Sequence, residues 1–379
     1  MLPGLFVLAG IGAGLLAGGR LELRLDPATL AVFLPGLIFD GAWQIAPVRL
    51  SRVALPVGFL AVPGVAVGAA ATAAVIVASG LLGWPAAAAL GAILAATDPV
   101  AVLAVFRRLP VAPTLRTLVE AESIANDAVA VALLQTALVV GTIAATGEPV
   151  VLRAAVAFAF SLGIGIAAGA IAGALGAAAL PATRGPVAAF AVTLGAAYLA
   201  YFAADAVAAS GIIAAAACAL VARRGIAHPS RIADEAVLRR WWGRFAAAAN
   251  ACVFGLLGAS LPLAAIAHAW PLALVALGAV VLVRIGLAAL VPLRGLVPRT
   301  TAWRVVIATA GLRGGLPVAL AVGLPAAFPQ RELVVAAVGA TVVATLVVQG
   351  TAIGPIVRAL QRTLGESETP PAPAALRRG

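Results

Sequence analysis

The feature that most constrains the fold is a succession of long apolar stretches, separated by short polar segments, along nearly the whole chain. A helix needs roughly 20 apolar residues to cross the hydrocarbon core of a bilayer. Twelve such spans can be marked, at 3–18, 28–44, 53–80, 84–106, 114–145, 151–180, 186–203, 206–222, 242–262, 268–292, 302–325 and 331–360. Only Ala204 and Asp205 separate the seventh from the eighth, so a single kinked helix is an alternative there. The sequence therefore predicts an all-α polytopic membrane protein with about 12 transmembrane helices.

The composition agrees with a membrane protein. Hydrophobic residues make up 63% of the chain and charged residues 10%, whereas about a quarter of the residues in an average soluble domain are charged. A formal net charge of +11 could indicate nucleic-acid binding. The basic residues lie between the apolar spans, however, which indicates membrane topology instead. We expect a lipid bilayer around the chain and no nucleic-acid partner.

The distribution of basic residues predicts the orientation. All 25 are arginine, and 19 of them follow even-numbered spans. Four follow odd-numbered spans, namely Arg20, Arg24, Arg153 and Arg331, while Arg284 and Arg313 lie inside spans. Cytoplasmic loops carry an excess of Lys and Arg. We therefore expect both termini in the cytoplasm, in a multi-pass protein of the cytoplasmic (inner) membrane.

Two spans carry a charged residue where the helix is weakened. The fourth contains Thr97, Asp98 and Pro99, and the eleventh contains Arg313 followed by two glycines and Pro317. Proline lacks a backbone N–H and disfavours helix before it, so breaks are expected. Interrupted helices in corresponding positions indicate a transporter site between inverted repeats, here spans 3–5 and 10–12. Glycine and proline are also common in membrane helices, but this does not explain a charge at each break.

The fifth span carries four polar residues where charge is costly. Ser123, Asn126 and Asp127 share one face of a helix, and Glu122 lies on the adjoining stripe. A charged carboxylate at bilayer depth costs roughly 2.5–3.5 kcal/mol and usually faces a cavity or an ion path. This pattern predicts a cation-binding helix beside the broken fourth span.

Oxygen atoms are the ligands that hard cations prefer. Asp127, Ser123, Asp98 and a carbonyl near Thr97 would supply them, and Arg284 is a candidate partner for the buried Glu122. The alternatives are that Asp98 caps a helix, or that the glutamates are solvated residues at a helix start. For Glu120 we expect the solvated position.

These motifs resemble the bacterial sodium/proton antiporters of the NhaP type, in the monovalent cation:proton antiporter family that includes the eukaryotic sodium/proton exchangers. Thr97-Asp98-Pro99 and Glu122-Ser123-x-x-Asn126-Asp127 carry the resemblance. Further matching pieces are LPGLIFDGAW at 34–43, Ser210-Gly211, the run from Trp242 through Asn250, GLRG at 311–314 and LVVQGTAIGPIVR at 346–358. The resemblance covers nearly the whole chain in order.

The resemblance implies a homodimeric antiporter that works by alternating access. Asp127 would bind a cation, taken as sodium, and a proton in competition, and no cofactor is expected. The implied cation and proton site comprises Asp127, Asp98, Thr97, Ser123, Glu122 and Asn126. Glu122 with Arg284, and Arg313 at the second break, would stabilise the assembly.

Two further features bear on the exchange and on the domain organisation. Asn126 stands where electrogenic relatives carry a second Asp, and lysine is absent, so the resemblance implies electroneutral exchange. Family members usually have thirteen spans, so this chain is expected to begin at the second. Residues 1–364 would form the transmembrane domain, with transport spans at about 53–145 and 268–360 and the remainder as scaffold and linker. The Pro-rich segment 365–379 would be a disordered cytoplasmic tail.

Three other functions are conceivable for a membrane protein with buried acids. Two membrane acids could form an aspartyl protease dyad, but such proteases resemble one another in a Gly-x-Gly-Asp motif that this chain lacks. A passive cation channel would carry cations without counter-flow of protons. A potassium/proton antiporter would use the same types of ligand as a sodium/proton antiporter. We therefore expect a secondary transporter and not an enzyme.

Overall fold

The fold was examined in a computed structural model that describes residues 2–16, 26–98, 100–106, 108–109, 111–143, 150–226, 232–260, 263–293, 296 and 300–365. All regular secondary structure in these ranges is helical. The α-helices are α1 Leu2–Leu16, α2 Pro27–Gln44, α3 Pro47–Phe59, α4 Val65–Ala78, α5 Trp84–Ala95, α6 Val100–Phe106, α7 Pro113–Ile143, α8 Val150–Ala179, α9 Pro186–Asp205, α10 Gly211–Ala222, α11 Ile232–Ser260, α12 Leu263–Leu290, α13 Thr300–Thr309, α14 Gly315–Val322 and α15 Arg331–Gly365. The all-α prediction is confirmed.

The helices follow the predicted spans closely. The third span is α3 and α4, joined by the π-helical turn Leu60–Gly64, and the fourth and eleventh spans are the broken pairs α5/α6 and α13/α14. The seventh and eighth spans are separate helices, α9 and α10. The turn between them includes Ala208 at φ 57°, a left-handed conformation that ends a helix. The alternative of one kinked helix was therefore wrong.

Within the described residues, five helical stretches are long and apolar enough to cross a membrane by themselves. They are Val48–Ala78, Ala155–Ala182, Pro186–Asp205, His268–Leu290 and Arg331–Leu360. Shorter apolar stretches are Leu5–Gly14, Trp84–Ala95 and Gly211–Ala222. The shorter and broken helices complete the bundle by packing against these long ones.

The two broken helices meet at their breaks. After α5 the chain is extended at Ala96, with ψ 139°, and the backbone N–H of Asp98 donates to the carbonyl of Leu312 at 2.8 Å. Because residues at a break have no partner in a helical hydrogen-bond ladder, each break supplies backbone groups to the other. A crossing of two interrupted helices is therefore held together at the level of the main chain.

Other helices approach closely through small residues. Gly91 of α5 lies so near α4 that a Cβ there would be 2.4 Å from the Ala69 carbonyl oxygen, and Gly258 of α11 packs equally tightly on Val7 of α1. On the side formed by α2, α9 and α11, the ring of Trp242 stacks on Phe39 with centroids 4.5 Å apart. Its indole nitrogen donates to Thr193 Oγ1 at 3.1 Å. Small-residue contacts are a common way of packing helices in membranes.

The predicted tail cannot be compared with the structure. Helix α15 continues through Gly365, and residues 366–379 lie outside the described part of the chain. The arginines at positions 20 and 24, which the topology argument used, also lie outside it. The division into transport and scaffold parts stays a prediction.

Candidate cation site

Asp127 lies in the middle of α7, beside the break between α5 and α6. It is 9% exposed, and the backbone N–H of Thr97 donates to its Oδ1 at 3.1 Å. That N–H is available because the residues that follow α5 are not helical. The broken helix therefore fixes the position of a membrane-buried carboxylate by a main-chain donor.

A chain of hydrogen bonds joins α7 to the same broken segment. The Asn126 side-chain nitrogen donates to Thr97 Oγ1 at 3.2 Å, and Thr97 Oγ1 donates to Ser123 Oγ at 3.2 Å. Ser123 Oγ in turn donates to the Thr97 carbonyl at 2.7 Å. Asn126 and Ser123, one turn apart on α7, thus both hold Thr97.

The groups at the two ends of this series of hydrogen bonds determine which atoms donate and which accept. An amide nitrogen only donates and a carbonyl only accepts. The Asn126 amide is oriented by a second hydrogen bond, which its nitrogen donates to the Glu122 carboxylate. The Ser123 proton consequently points to the Thr97 carbonyl, and a lone pair of Ser123 Oγ remains for a cation.

Glu122 is buried beside the site, and both of its carboxylate oxygens accept hydrogen bonds. Arg284 of α12 donates to its two oxygens at 2.7 and 2.8 Å, and its Nε donates to the Ile307 carbonyl at 3.0 Å. The exposed fraction of the Glu122 residue is 2% and that of Arg284 is 6%. Arg284, which the sequence analysis named as the candidate partner of Glu122, therefore forms a bidentate ion pair with it.

Arg313 lies at the second break, with carbonyls rather than a carboxylate as its partners. Its Nε donates to the Leu94 carbonyl at 2.9 Å and its Nη1 donates to the Gly311 carbonyl. These carbonyls belong to the ends of α5 and α13, where helical carbonyls lack partners and the helix dipole is negative. Arg313 thus stabilises the ends of both interrupted helices.

Asp98 occupies the complementary position at the start of α14. Its half-buried carboxylate packs on the Cα of Gly314, where a Cβ would lie 2.2 Å from Asp98 Oδ2. The N-terminus of a helix favours a negative charge. Gly314 is required here because any side chain would displace the carboxylate.

A cavity of about 430 Å³ leads to these residues. Asp98, Ser123 and Asp127 line it, as do Gln44, the last residue of α2, and Arg116, in the first turn of α7. The cavity therefore extends from the crossing to the arginine-rich end of the bundle. Thr97 also lines it, whereas Glu122 and Arg284 do not.

The expectation that Glu120 is solvated was wrong. Glu120 is 5% exposed, lines the cavity and accepts a hydrogen bond from Arg116 Nε at 3.2 Å. The sequence places it near the start of α7, but only the packing shows that this part of the helix faces inward.

The sequence analysis also missed cavity residues on other helices. Asp40 and Asn250 line the cavity, and Asp40 accepts a hydrogen bond from Gln44 Nε2 at 3.3 Å. Asp40 is an acid inside an apolar span, which was the signal used for Asp127. Both residues lie within motifs that carried the family resemblance, so this signal was available.

The oxygen atoms at the crossing are of the kind that bind a monovalent cation. In the part of the chain that the structure describes, no group of three or more His, Cys, Asp or Glu side chains could hold a metal ion. The cavity instead brings together two carboxylates, Asp98 and Asp127, with the Ser123 hydroxyl. Hard monovalent cations bind oxygen ligands of this kind.

Comparisons with known proteins agree with one another. A family profile described as "Sodium/hydrogen exchanger, transmembrane" matches residues 2–359. The Na(+)/H(+) antiporter ApNhaP of Aphanothece halophytica is 31% identical over 95% of this chain and 70% of its own length. The Na(+)/H(+) antiporter NhaP of Pseudomonas aeruginosa is 29% identical over 86% of this chain and 79% of its own length. NhaS2 of Synechocystis, another Na(+)/H(+) antiporter, is 30% identical, and this chain spans 66% of its length.

The fold is also known. The sodium proton antiporter MjNhaP1 from Methanocaldococcus jannaschii superposes with a TM-score of 0.77 over 96% of this chain and 92% of that one, at 21% sequence identity. A second structure of the same antiporter superposes with a TM-score of 0.73. The fold and the family profile therefore agree.

Proposed function

This chain belongs to the sodium/hydrogen exchanger family, and on that premise we propose that it exchanges a monovalent cation, sodium, for a proton by alternating access. The observation that carries the proposal is the position of Asp127, buried at the crossing and lining a cavity that reaches Gln44 and Arg116 at one end of the bundle. An exchanger requires a carboxylate that is accessible from one side of the membrane at a time. Cation and proton are the only other participants, and the mechanism uses no cofactor.

The exchange follows from the chemistry of one carboxylate. Asp127 can hold either a proton on one oxygen or a cation between its oxygens and neighbouring ligands, and it cannot hold both. Asp98 and Ser123 would complete the cation ligands. Thr97 fixes Asp127 through its N–H and Ser123 through its carbonyl. An ion binds to Asp127 from the open side, access then changes, and the ion is released on the other side. Each cycle moves one cation and one proton in opposite directions.

One cation would exchange for one proton, so that no net charge moves. Asn126 cannot ionise, and the charge of Glu122 is paired with Arg284. In this proposal Asp127 is the one carboxylate that changes partners. A potassium/proton antiporter of the same mechanism is the alternative.

The arginine-rich end of the bundle would face the cytoplasm by the positive-inside rule. The cavity would then open to the cytoplasm, with both termini on that side of the cytoplasmic membrane. We extend to this chain the homodimeric assembly that the family resemblance implies.

The test is reconstitution of the purified protein into liposomes that contain a pH dye. Sodium added outside should draw protons out and raise the internal pH, and lithium and potassium are added in separate runs. A larger response to potassium than to sodium would support the potassium/proton alternative. Uptake of labelled sodium without any change in internal pH would instead indicate a passive channel.

A further inference from the structure

The end of α14 touches the start of α2, whereas Gln44, at the other end of α2, lies with Arg116 at the end of the large cavity that we call the cavity mouth. A Cβ at Gly323, the residue that follows α14, would lie 2.5 Å from Cγ of Pro27. Gly323 has φ −72° and ψ −5°, values that any residue adopts. Glycine is therefore needed at this position for space rather than for its backbone freedom, since the ring of Pro27 cannot turn aside.

Apolar side chains surround this contact. Leu30 and Leu34 of α2, Leu316 of α14 and Leu324 just after it belong to one buried cluster and are 3–8% exposed. Leu30, Leu34 and Leu316 also line the large cavity. Between α2 and α14 its lining is therefore a packed apolar layer, which opposes the passage of a hydrated ion.

Arg331 holds the end of α14 from the other side. Its Nε donates to the Leu324 carbonyl at 2.9 Å and its Nη2 donates to the Val322 carbonyl at 2.6 Å. A basic side chain that binds the last carbonyls of a helix fixes that end and matches the helix dipole. Arg331 is one of the four arginines that follow odd-numbered spans, and its bonds to α14 explain why a basic residue is present there.

We propose that the contact between Gly323 and Pro27 is the barrier that closes the site on the side opposite to the cavity mouth, and that Arg331 is the positioning residue that holds α14 in this contact. The role in transport rests on the proposed function, because alternating access requires this barrier to open when the cavity closes. The barrier itself is a property of the packing and can be tested without transport.

The test measures how fast an impermeant methanethiosulfonate reagent modifies a cysteine introduced at Leu34 in a variant that lacks Cys218 and Cys252. Reagent added at the face near Pro27 should react slowly with the protein that retains Gly323. Gly323→Ala should raise this rate about tenfold, as expected for a bias of about 1.4 kcal/mol toward the separated state. Reagent added at the cavity mouth should react as before, which also shows that the variant is folded.

Removing the ring of Pro27 provides the decisive comparison. Pro27→Ala combined with Gly323→Ala takes away the atom that the new Cβ would meet, so the slow rate should return. The matched control is Gly278→Ala on α12, where a Cβ would have no atom within 4 Å. Equal rates in the single and double variants, or an unchanged rate in Gly323→Ala, would overturn the proposal.

Arg331 is tested by the same labelling and by transport. Arg331→Gln should also raise the labelling rate at the Pro27 face, and Arg331→Lys, which keeps the charge, should restore part of the difference. In liposomes, Arg331→Gln should change the apparent KM for cation on the Pro27 face more than the KM on the other face. If the chain proves not to exchange cations, the labelling still decides the barrier, so failure of this proposal and failure of the proposed function are distinguishable.

Discussion

Arg284 and Glu122, separated by 162 residues in the sequence, form a bidentate ion pair with N–O distances of 2.7 and 2.8 Å. The pair links α12 to α7 directly behind the hydrogen-bonded chain that holds Thr97. Because Glu122 also accepts a hydrogen bond from Asn126, the pair determines the orientation of that amide. A charged pair beside the cation position thus helps to arrange the ligands.

Breaking this pair should destabilise the protein strongly. Glu122→Gln or Arg284→Met leaves one uncompensated buried charge, which costs about 3–5 kcal/mol, whereas removing both charges costs much less. Thermal unfolding in detergent should show a larger decrease in Tm for each single variant than for the double variant. Simple additivity of the two decreases would show that the charges are not coupled.

Substitution of Asp127 should abolish exchange without unfolding the protein. Asp127→Asn keeps the size and a hydrogen-bond acceptor for the Thr97 N–H but can bind neither a proton nor a cation as a carboxylate does. In pH-dye liposomes the sodium response should disappear. The matched control is Asp205→Asn at the exposed end of α9, which should retain the response, and retained antiport in Asp127→Asn would exclude the assignment.

The hydroxyl of Thr97 should affect cation affinity more than turnover. Thr97→Val removes both hydrogen bonds of this hydroxyl, to Asn126 and to Ser123. A net loss of about 1–1.5 kcal/mol should raise the apparent KM for cation roughly tenfold. Thr97→Ser keeps the link and should resemble the parent. Thr136→Val on the same helix is the control, because that hydroxyl bonds to the Ala132 carbonyl of its own helix.

Exchange should not respond to membrane potential. Moving one charge across 100 mV is worth about 2.3 kcal/mol, so an exchanger that moves net charge must change its end point when the potential changes. Liposomes clamped with potassium and valinomycin at zero and at negative potential should reach the same internal pH with sodium as substrate. A potential-dependent end point would mean that a second group titrates, and Asp98 and Glu120 line the cavity where such a group would lie.

A pH-dependent contribution to stability is expected at the start of α2. Asp26 caps this helix by accepting a hydrogen bond from the Thr29 N–H at 2.7 Å, and that bond lowers the pKa of Asp26 from its ordinary value of 3.8. Since the pKa is lowered in the folded state, the contribution is present above pH 3.8 and is lost as the pH falls through the folded value.

Asp26→Asn retains a capping acceptor but does not titrate, and Asp26→Ala removes the cap, at a cost of about 0.5–2 kcal/mol. At neutral pH both variants should unfold at a lower temperature than the parent, the Ala variant more so. Between pH 5 and 3, values that bracket the ordinary pKa, the difference between parent and Asn variant should shrink. A difference that stays constant over this range would contradict the assignment of the pKa shift to the cap.

The broken helices could be predicted because proline and paired glycines act locally. Pro99 follows Asp98, and Gly314 and Gly315 follow Arg313, so each sequence shows where its hydrogen-bond ladder must stop. The ion pair of Glu122 could be proposed for a similar reason, since Arg284 and Arg313 are the arginines that lie deep inside spans. Such inferences require only that placing a charge inside a membrane is energetically costly.

Other features depend on packing that no local pattern reports. The π-helical turn Leu60–Gly64 contains Pro63, which marks a weak point of the helix but does not indicate which kind of turn forms there. Glu120 and Asp40 face a cavity because of how α7 and α2 are rotated in the bundle. The carbonyl partners of Arg313 come from two helices that are brought together only by folding.

The size of the large cavity bears on how the protein distinguishes one cation from another. A volume of about 430 Å³ has room for on the order of ten water molecules at about 30 Å³ each. We therefore expect a cation to reach the crossing with water around it and to exchange that water for protein oxygens at the end of its path. On this expectation, any preference among sodium, lithium and potassium depends on the cost of this final dehydration.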